Sequence, residues 1–391
     1  MIKYIDDDVQ KGIKYDWHRI QKKVKSLCIP TDFYDPSKRP IADYSWNVTL
    51  SERATGKTTG LLLMGLVMYR MYGTVVIYCR SNKMQIAPKH TQDLYNVVVS
   101  NGYIDRITDG EYNSIKYNRR KWYLCHIDES GEIDNIDNNP CCHMLSVGET
   151  LEIKSGLNLP TGDLIIFDEF VTPTGYTQSN EFVMFCDLIS TVFRLRESGK
   201  IFLLGNTINK FSQYYDDLEI AEIVRGMDIG DIREVKGKGK TPIFIEIVKP
   251  SADFKVKKKT WVERFMGFAK PELSSITGRA VWAVNNYPHI PDDKFYTISN
   301  KIYIYHTGRY MRLEIVTNSE IGICIYAHWA NRVYEDSIIL TTGEIDSHQK
   351  KYYLGNITLE RFINKIRHSG KMFFASNDVG SFFDNYLQSR C

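Results

Sequence analysis

From Trp46 onward, short apolar runs alternate with amphipathic segments, and that rhythm predicts the architecture. "WNVTL" (46–50) reads as a short strand and "TTGLLLMGLVMYRMYG" (58–73) as an apolar helix stopped by Gly73. "TVVIYCR" (74–80) has the β-branched richness of a buried strand. A helix is expected from Met84 to Val99, ending near "NGY" (101–103). "DLIIFDEF" (163–170) is the next buried strand, "NEFVMFCDLISTVFRLRES" (180–198) an amphipathic helix, and "KIFLLGN" (200–206) another strand. Strands alternating with helices predict an α/β fold around a central, mainly parallel sheet.

The flanks have a different texture. Residues 1–45 form an N-terminal extension with a helix at Trp17–Ser26, followed by an irregular stretch punctuated by Pro30, Pro36 and Pro40. Within the first large domain (46–233), residues 110–156 alternate like a hairpin, with turn residues at Asn118 and Ser130–Gly131, and read as an inserted β-excursion or lid. Gly-Lys repeats and a lysine run open a linker domain (234–290), whose residues 260–290 are expected to be helical with Trp261, Phe265 and Trp282. A β-rich unit (291–391) closes the chain with a helix at Leu359–Arg367 and a strand at Met372–Ala375. There is no internal repeat.

Composition narrows the class. With 43% apolar and 25% charged residues, the 391-residue chain is ordinary for a soluble globular protein. A net charge of +3 means that any nucleic-acid surface must come from local clustering. No run approaches the roughly 18 apolar residues of a membrane span, and "MIKYIDDDVQKG" does not read as a secretory signal. Met1 and Cys391 are read as the bounds of a full-length product. Eight scattered cysteines suggest reduced thiols in a cytoplasm. Cys125 and His126 with Cys141, Cys142 and His143 invite a zinc reading. Neighbours on an extended chain point to opposite faces, however, so buried, inert thiols are expected instead.

The chemistry concentrates in three places. "SERATGKT" (51–58) ends as a phosphate-binding loop does, although Ser51 stands where the pattern G-x-x-x-x-G-K-[ST] asks for glycine. It lies between a predicted strand and a predicted helix, which presents backbone N–H groups and a helix N-terminus to an anion. The candidate nucleotide-binding residues are Ser51, Arg53, Ala54, Thr55, Gly56, Lys57, Thr58 and Thr59. Lys57 would reach the β- and γ-phosphates, Thr58 would bind Mg²⁺, and Arg53 would touch the γ-phosphate. In "LIIFDEF", four apolar residues precede Asp168 and Glu169. Asp168 would hold Mg²⁺ and Glu169 would polarise the attacking water. The strand "IFLLGN" suits a position between these two strands, with Asn206 as a sensor of the γ-phosphate. A glutamate directly after the aspartate, with a polar sensor on a later strand, marks the motor-type branch of P-loop NTPases and argues against a small-molecule kinase. Arg194 and Arg196, on the helix before the sensor strand, are candidates for an arginine offered to a neighbouring subunit. The alternative for both is a solvated, salt-bridged helix face.

With these motifs in order, the chain resembles the DNA-packaging ATPases of small protein-primed podoviruses. The family's loop of form G-x-R-x-x-G-K-[ST], its strand ending Phe-Asp-Glu-Phe and its strand ending Leu-Gly-Asn correspond to "SERATGKT", "IIFDEF" and "LLGN". On that basis Arg53, Gly56, Lys57, Thr58, Asp168, Glu169 and Asn206 carry over, and the first glycine does not. The resemblance covers about residues 45–215 by motif, and the remainder by layout and length. It implies an ATP- and Mg²⁺-dependent P-loop ATPase domain with an added strand and a catalytic glutamate (46–233). A small linker domain and a vestigial RNase H-like nuclease domain (291–391) would follow. It also implies a homomeric ring, expected to be a pentamer, at the portal of a procapsid in the host cytoplasm. That ring would thread double-stranded DNA inward with a packaging RNA as a possible scaffold and without a membrane.

A dead nuclease is also expected from the residues themselves. "KIYIYHTG" carries His306 where an active two-metal site wants an acid, and Asp336, Glu344, Asp346, Asp378 and Asp384 are scattered. Sequence-independent DNA contact would fall to Lys255, Lys257, Lys258 and Lys259, to Lys236, Lys238 and Lys240, or to Arg119, Arg120 and Lys121. Two other functions remain open at this point: a large-terminase motor with a live nuclease, and a nucleotide-binding scaffold in which Ser51 has abolished turnover.

Overall fold

The structure is a computed structural model. It describes residues 13–31, 33–150, 161–171, 180–194, 196–207, 210, 212–237, 240–252, 255–256, 287–290, 295–306, 308–334, 336–341, 352–353 and 357–388. Ten strands make the larger sheet: β1 (Trp46–Ser51), β2 (Val76–Arg80), β3 (Ser114–Asn118), β4 (Lys121–Ile127), β5 (Ile133–Ile136), β6 (Cys142–Ser146), β7 (Leu164–Asp168), β8 (Lys200–Asn206), β9 (Ile232–Gly237) and β10 (Lys240–Ile247). Their order is β3-β4-β6-β2-β7-β8-β1-β10-β9, with β5 on β4. From β6 across to β10 every pairing is parallel. Such a sheet is covered on both faces, which explains why "LIIFD" of β7 is buried at every position. β8 lies between β1 and β7, so the strand bearing the candidate sensor separates the strand feeding the glycine loop from the strand bearing the acidic pair.

Helix α1 (Trp17–Ser26) and helix α2 (Lys57–Tyr72) pack together on one face of this sheet, and helix α3 (Glu181–Phe193) covers the other. α1 starts where the Asp16 carboxylate accepts from the Arg19 N–H. It puts Ile20 and Val24 into the same core as Leu61, Leu66 and Val76. α2 is buried over most of its circumference and ends at Gly73, whose left-handed φ of 70° lets its N–H close on the Tyr69 carbonyl.

Four expectations change here. The extension 1–45 is no appendage in its described part, because α1 and Ile41 belong to the central core. The stretch 110–156 is not a separate lid either: β6 pairs with β2 inside the sheet, and β3 and β4 continue its edge. The helix expected over 84–99 is broken into a 3₁₀ turn capped by Asn82 and the short helices Pro88–Thr91 and Asn96–Ser100. Pro88 explains the break, since proline disfavours helical backbone in the residue before it, and Ala87 is extended. A boundary at 233/234 would cut β9, and β10 pairs with β1, so the larger sheet extends to Ile247. Trp261, Phe265 and Trp282 lie outside the described residues.

The second sheet comprises β11 (Tyr296–His306), β12 (Arg309–Asn318), β13 (Gly322–Trp329), β14 (Ile338–Thr341), β15 (Tyr352–Tyr353) and β16 (Met372–Phe374). Its order is β15-β14-β11-β12-β13-β16. β11, β12 and β13 form an antiparallel meander, and β14 joins β11 in parallel. Helices α4 (Ile357–His368) and α5 (Asn377–Gln388) supply Ile363, Phe382, Phe383 and Tyr386 to its apolar face.

Candidate functional site

Strand order and register bring the three motifs to one place. Ser51 at the end of β1 pairs with Asn206 at the end of β8, and Asp168 at the end of β7 pairs with Leu204. In a parallel sheet the carboxyl ends of the strands open onto a crevice, and here that crevice is a cavity of about 480 Å³. Arg53, Ala54, Thr55, Gly56, Lys57, Thr58 and Thr59 line it together with Asp168, Glu169 and Asn206. Ser51 sits behind that wall and is 1% exposed.

The turn into α2 depends on Gly56, which caps the helix in the left-handed region at φ 72°. A Cβ there would also lie 2.1 Å from the Phe33 ring. Four residues on, a Cβ at Gly60 would lie 2.3 Å from the Tyr34 carbonyl oxygen, and the Tyr34 N–H donates to the Thr55 carbonyl at 2.8 Å. A strap made by residues 33–36 therefore lies directly on the loop and the first turn of α2. Another end of the strap is fixed to β10, where Arg39 donates from Nε and Nη2 to the two oxygens of Glu246, both at 2.5 Å.

Inside the loop, Lys57 Nζ donates to Ser51 Oγ at 2.5 Å and to Asn206 Oδ1 at 3.3 Å. Burial lowers its pKa to about 8, against the opposing pull of Asp168 and Glu169. The Thr58 hydroxyl donates to Asp168 Oδ2 at 2.7 Å, and Tyr78 from β2 donates to the same oxygen at 2.6 Å. Burial, with Asp168 alongside, pushes the Tyr78 phenol far above its ordinary range, so it remains a donor. Glu169 turns out of the strand at φ 61°, its N–H held by the Leu204 carbonyl at 2.8 Å. Half-exposed, its carboxylate pairs with Arg80, which also lies 3.6 Å from Asp168 Oδ2. Tyr78 and Arg80 were not anticipated from sequence. The signal was a buried apolar strand, "VIYCR", that ends in an arginine with no local partner.

Not every candidate reaches this cavity. Arg196 is turned inward and buried: Nε donates to Asp163 Oδ1 at 2.6 Å, and Nη2 donates to the Val192 carbonyl at 2.9 Å. Asp163 is fully buried at the amino end of β7, across the sheet's length from the acidic pair. Arg196 is therefore withdrawn as a residue offered to a neighbour, because such a residue must project. Arg194 is exposed at the end of α3. Arg120 faces Glu149 at 2.8 Å, and Lys83 faces the same carboxylate at 2.9 Å, so Arg120 is a poor free DNA contact. Arg119 is exposed in the β3–β4 turn, Lys121 is half-buried beside it, and Lys255 is exposed. Lys236 reaches Glu234 at 3.5 Å. Lys257, Lys258, Lys259 and Lys238 lie outside the described residues, as does the side chain of Lys240.

Cys79, Cys125, Cys141 and Cys142 are buried and unbridged, and burial pushes the Cys142 thiol up to about 12. Among the described residues no three His, Cys, Asp or Glu side chains converge as a metal site would need. His306 is buried under α5 against Phe382 and Tyr386, and burial lowers its pKa to about 4. Asp384 is held by Tyr287 and Arg367, and Asp336 lies near Lys301. Glu344 and Asp346 lie outside the described residues.

The donor set at the cavity floor fits a hard cation. A hydroxyl and a carboxylate, Thr58 and Asp168, stand in hydrogen-bond contact beside the loop. All-oxygen ligation with room for phosphate oxygens and water is what Mg²⁺ takes.

No protein-family model matches the chain. In sequence it is similar to the DNA packaging proteins of Bacillus phages phi29 and PZA, with 24% identity over 185 residues in each case. That stretch is 47% of this chain and 49% of theirs, so the chain spans about half the length of the curated relatives it matches. In structure it is similar to the bacteriophage Phi-29 viral genome packaging motor assembly, with a TM-score of 0.56, 17% identity, and coverage of 92% of this chain and 100% of the other. The Phi-28 gp11 DNA packaging motor gives a TM-score of 0.55, 14% identity, and coverage of 92% and 98%. The chain thus has the fold of these packaging motors along most of its length, a P-loop ATPase sheet followed by a second α+β unit.

Proposed function

We propose that this protein is a viral genome-packaging motor ATPase, which couples ATP hydrolysis to translocation of double-stranded DNA into a procapsid as a homomeric ring. The observation that carries the proposal is the placement of β8 between β1 and β7. It sets Lys57, Thr58, Asp168, Glu169 and Asn206 around one cavity.

The roles follow from position. Residues 53–58 line the cavity and lead into the amino end of α2, an arrangement that suits a polyphosphate. Lys57 neutralises the β- and γ-phosphates, and Arg53, which also lines the cavity, assists. Thr58 and Asp168 would hold Mg²⁺, which supplies charge neutralisation at the phosphates when bound. Glu169 orients and polarises the attacking water, for which it must leave Arg80. Asn206, on the strand between the two motifs, reports the γ-phosphate to the segment that follows it. Arg194, exposed at the end of α3, is the arginine proposed to reach a neighbouring subunit's nucleotide. Hydrolysis by a lone protomer is then weak and rises on assembly.

DNA contact through Lys255, Lys257, Lys258 and Lys259, with Arg119 and Lys121, would be electrostatic and indifferent to sequence. The unit from residue 291 onward is proposed as a vestigial nuclease, supported by the burial of His306 beneath α5. The expected setting is the portal vertex of a procapsid in the host cytoplasm, with a pentameric ring and a packaging RNA as further expectations. Phosphate release from wild type and Glu169→Gln, measured with procapsids and DNA present, tests the proposal. The variant should bind nucleotide and lose hydrolysis, and a silent wild type under those conditions defeats the motor function.

A further inference from the structure

Where the phosphate-loop pattern asks for glycine, this chain has a buried hydroxyl with three partners. Ser51 Oγ lies 2.5 Å from Lys57 Nζ, 2.5 Å from Thr55 Oγ1 and 2.6 Å from the Glu52 carbonyl oxygen. Thr55, itself 3% exposed, also donates to the Glu52 carbonyl at 3.2 Å. These contacts all stay within the loop. The backbone ties of Ser51 are separate: its carbonyl accepts from the Thr207 N–H at 3.0 Å, and its place opposite Asn206 is set by the strand register. Loss of the hydroxyl would leave both intact.

We propose that Ser51 is a positioning residue for the phosphate-binding lysine: its hydroxyl tethers the Lys57 ammonium and aims it into the cavity. This deepens the nucleotide-binding function given above and rests on it. Proton accounting fixes the direction of the network. An ammonium only donates, so Ser51 must accept from Lys57 and send its own proton elsewhere. That proton goes to the Glu52 carbonyl, or to Thr55 Oγ1 with Thr55 then donating to the same carbonyl. Either way the chain of hydrogen bonds ends on Glu52 O, and Ser51 is the relay between that carbonyl and the ammonium. Without the relay Lys57 meets Glu52 O only at 3.5 Å, the outer limit of a hydrogen bond.

The tether also explains how the lysine can be held and still be available. An ammonium has three N–H donors. Ser51 Oγ takes one and Asn206 Oδ1, at 3.3 Å, a second. The third meets only the Glu52 carbonyl at 3.5 Å and can turn to an anion, and the two closer acceptors on adjacent strands set its direction. In a loop with glycine at the first position, the same lysine would keep Asn206 but have only the Glu52 carbonyl, at 3.5 Å, within the loop. Ser51 is thus a working part of this loop.

Titration of the full chain with a fluorescent ATP analogue (mant-ATP) and Mg²⁺ tests the inference on wild type, Ser51→Ala, Ser51→Gly and Ser51→Thr. A hydrogen bond to a charged group predicts that alanine and glycine each weaken binding about tenfold or more. Threonine, which keeps the hydroxyl, should bind as wild type does. Thermal midpoints without nucleotide should fall by no more than a few degrees for alanine, because the strand register and the Thr207–Ser51 backbone bond are untouched. Ser51→Ala binding as tightly as wild type overturns the inference, and so does a loss confined to Ser51→Gly, which would mark backbone freedom. If the larger threonine does not fold, the alanine–glycine comparison still decides. Failure of wild type to bind the analogue at all would instead defeat the nucleotide-binding function itself.

Discussion

The substitution Arg196→Met separates two roles that one arginine could have. If the residue serves a neighbour's nucleotide, its loss should leave folding intact and depress hydrolysis in the assembled ring. The structure puts it instead in a buried ion pair, with Nε 2.6 Å from Asp163 Oδ1 and Nη2 2.9 Å from the Val192 carbonyl. Methionine fills much of the same volume but leaves the Asp163 carboxylate in the protein interior with the Ser198 hydroxyl at 2.7 Å and Tyr15 at 3.0 Å. Breaking a buried pair from one side costs about 3–5 kcal/mol. The two remaining hydroxyl donors place this case at the low end, about 3 kcal/mol. For a domain of this size each kcal/mol moves the thermal midpoint by about 2–4 °C, so a fall on the order of 6–12 °C is expected. Circular dichroism melting of Arg196→Met, Asp163→Asn and the double variant measures it. The double variant should recover part of the loss, because it no longer buries a lone charge. A wild-type midpoint for Arg196→Met, with hydrolysis abolished, would refute the structural assignment and return the residue to catalysis.

Two further outcomes are expected. Gly56→Ala meets both the left-handed backbone and the Phe33 ring, and the backbone alone accounts for about 1–2 kcal/mol. The variant should melt lower and bind mant-ATP more weakly, and adding Phe33→Ala should relieve the clash but not the backbone cost; a Gly56→Ala variant as stable as wild type would remove the strap from the loop. His306 titrates near 4 when folded against 6.5 for the free side chain. Its contribution is therefore complete above 6.5 and is lost as pH falls toward 4, to a total of about 3 kcal/mol. His306→Phe should shift the acid-unfolding midpoint of the C-terminal unit to lower pH, and an unchanged midpoint would contradict the burial argument.

The parts of the site that sequence made legible are those whose partners are close in the motif or fixed by strand ends. "SERATGKT", "IIFDEF" and "LLGN" each end a strand, and strands alternating with helices give a parallel sheet whose ends align. The lateral place of β8, between β1 and β7, could be read, but that of β2 could not. Arg80 and Tyr78 matter because β2 happens to lie beside β7, and nothing in "VIYCR" states its neighbour. Arg196 misled for the converse reason: its partner Asp163 lies 33 positions away in sequence and is brought in only by the neighbouring strand β7. Glycine and lysine dominate "VKGKGK" and suggest a linker from residue 234, yet burial of Ile243 and Ile245 beside β1 outweighs that composition. The strap escaped notice because proline-rich irregular backbone has no periodicity to read.

That strap has a consequence for how the loop can vary. Gly56 and Gly60 are small on account of Phe33 and Tyr34 as well as of any phosphate. The nucleotide loop of this protein is thus not a transplantable cassette. Grafting residues 46–72 into another scaffold would leave its roof behind, and drift at either glycine should be matched by drift at the strap. Relatives ought to exchange these positions as a set.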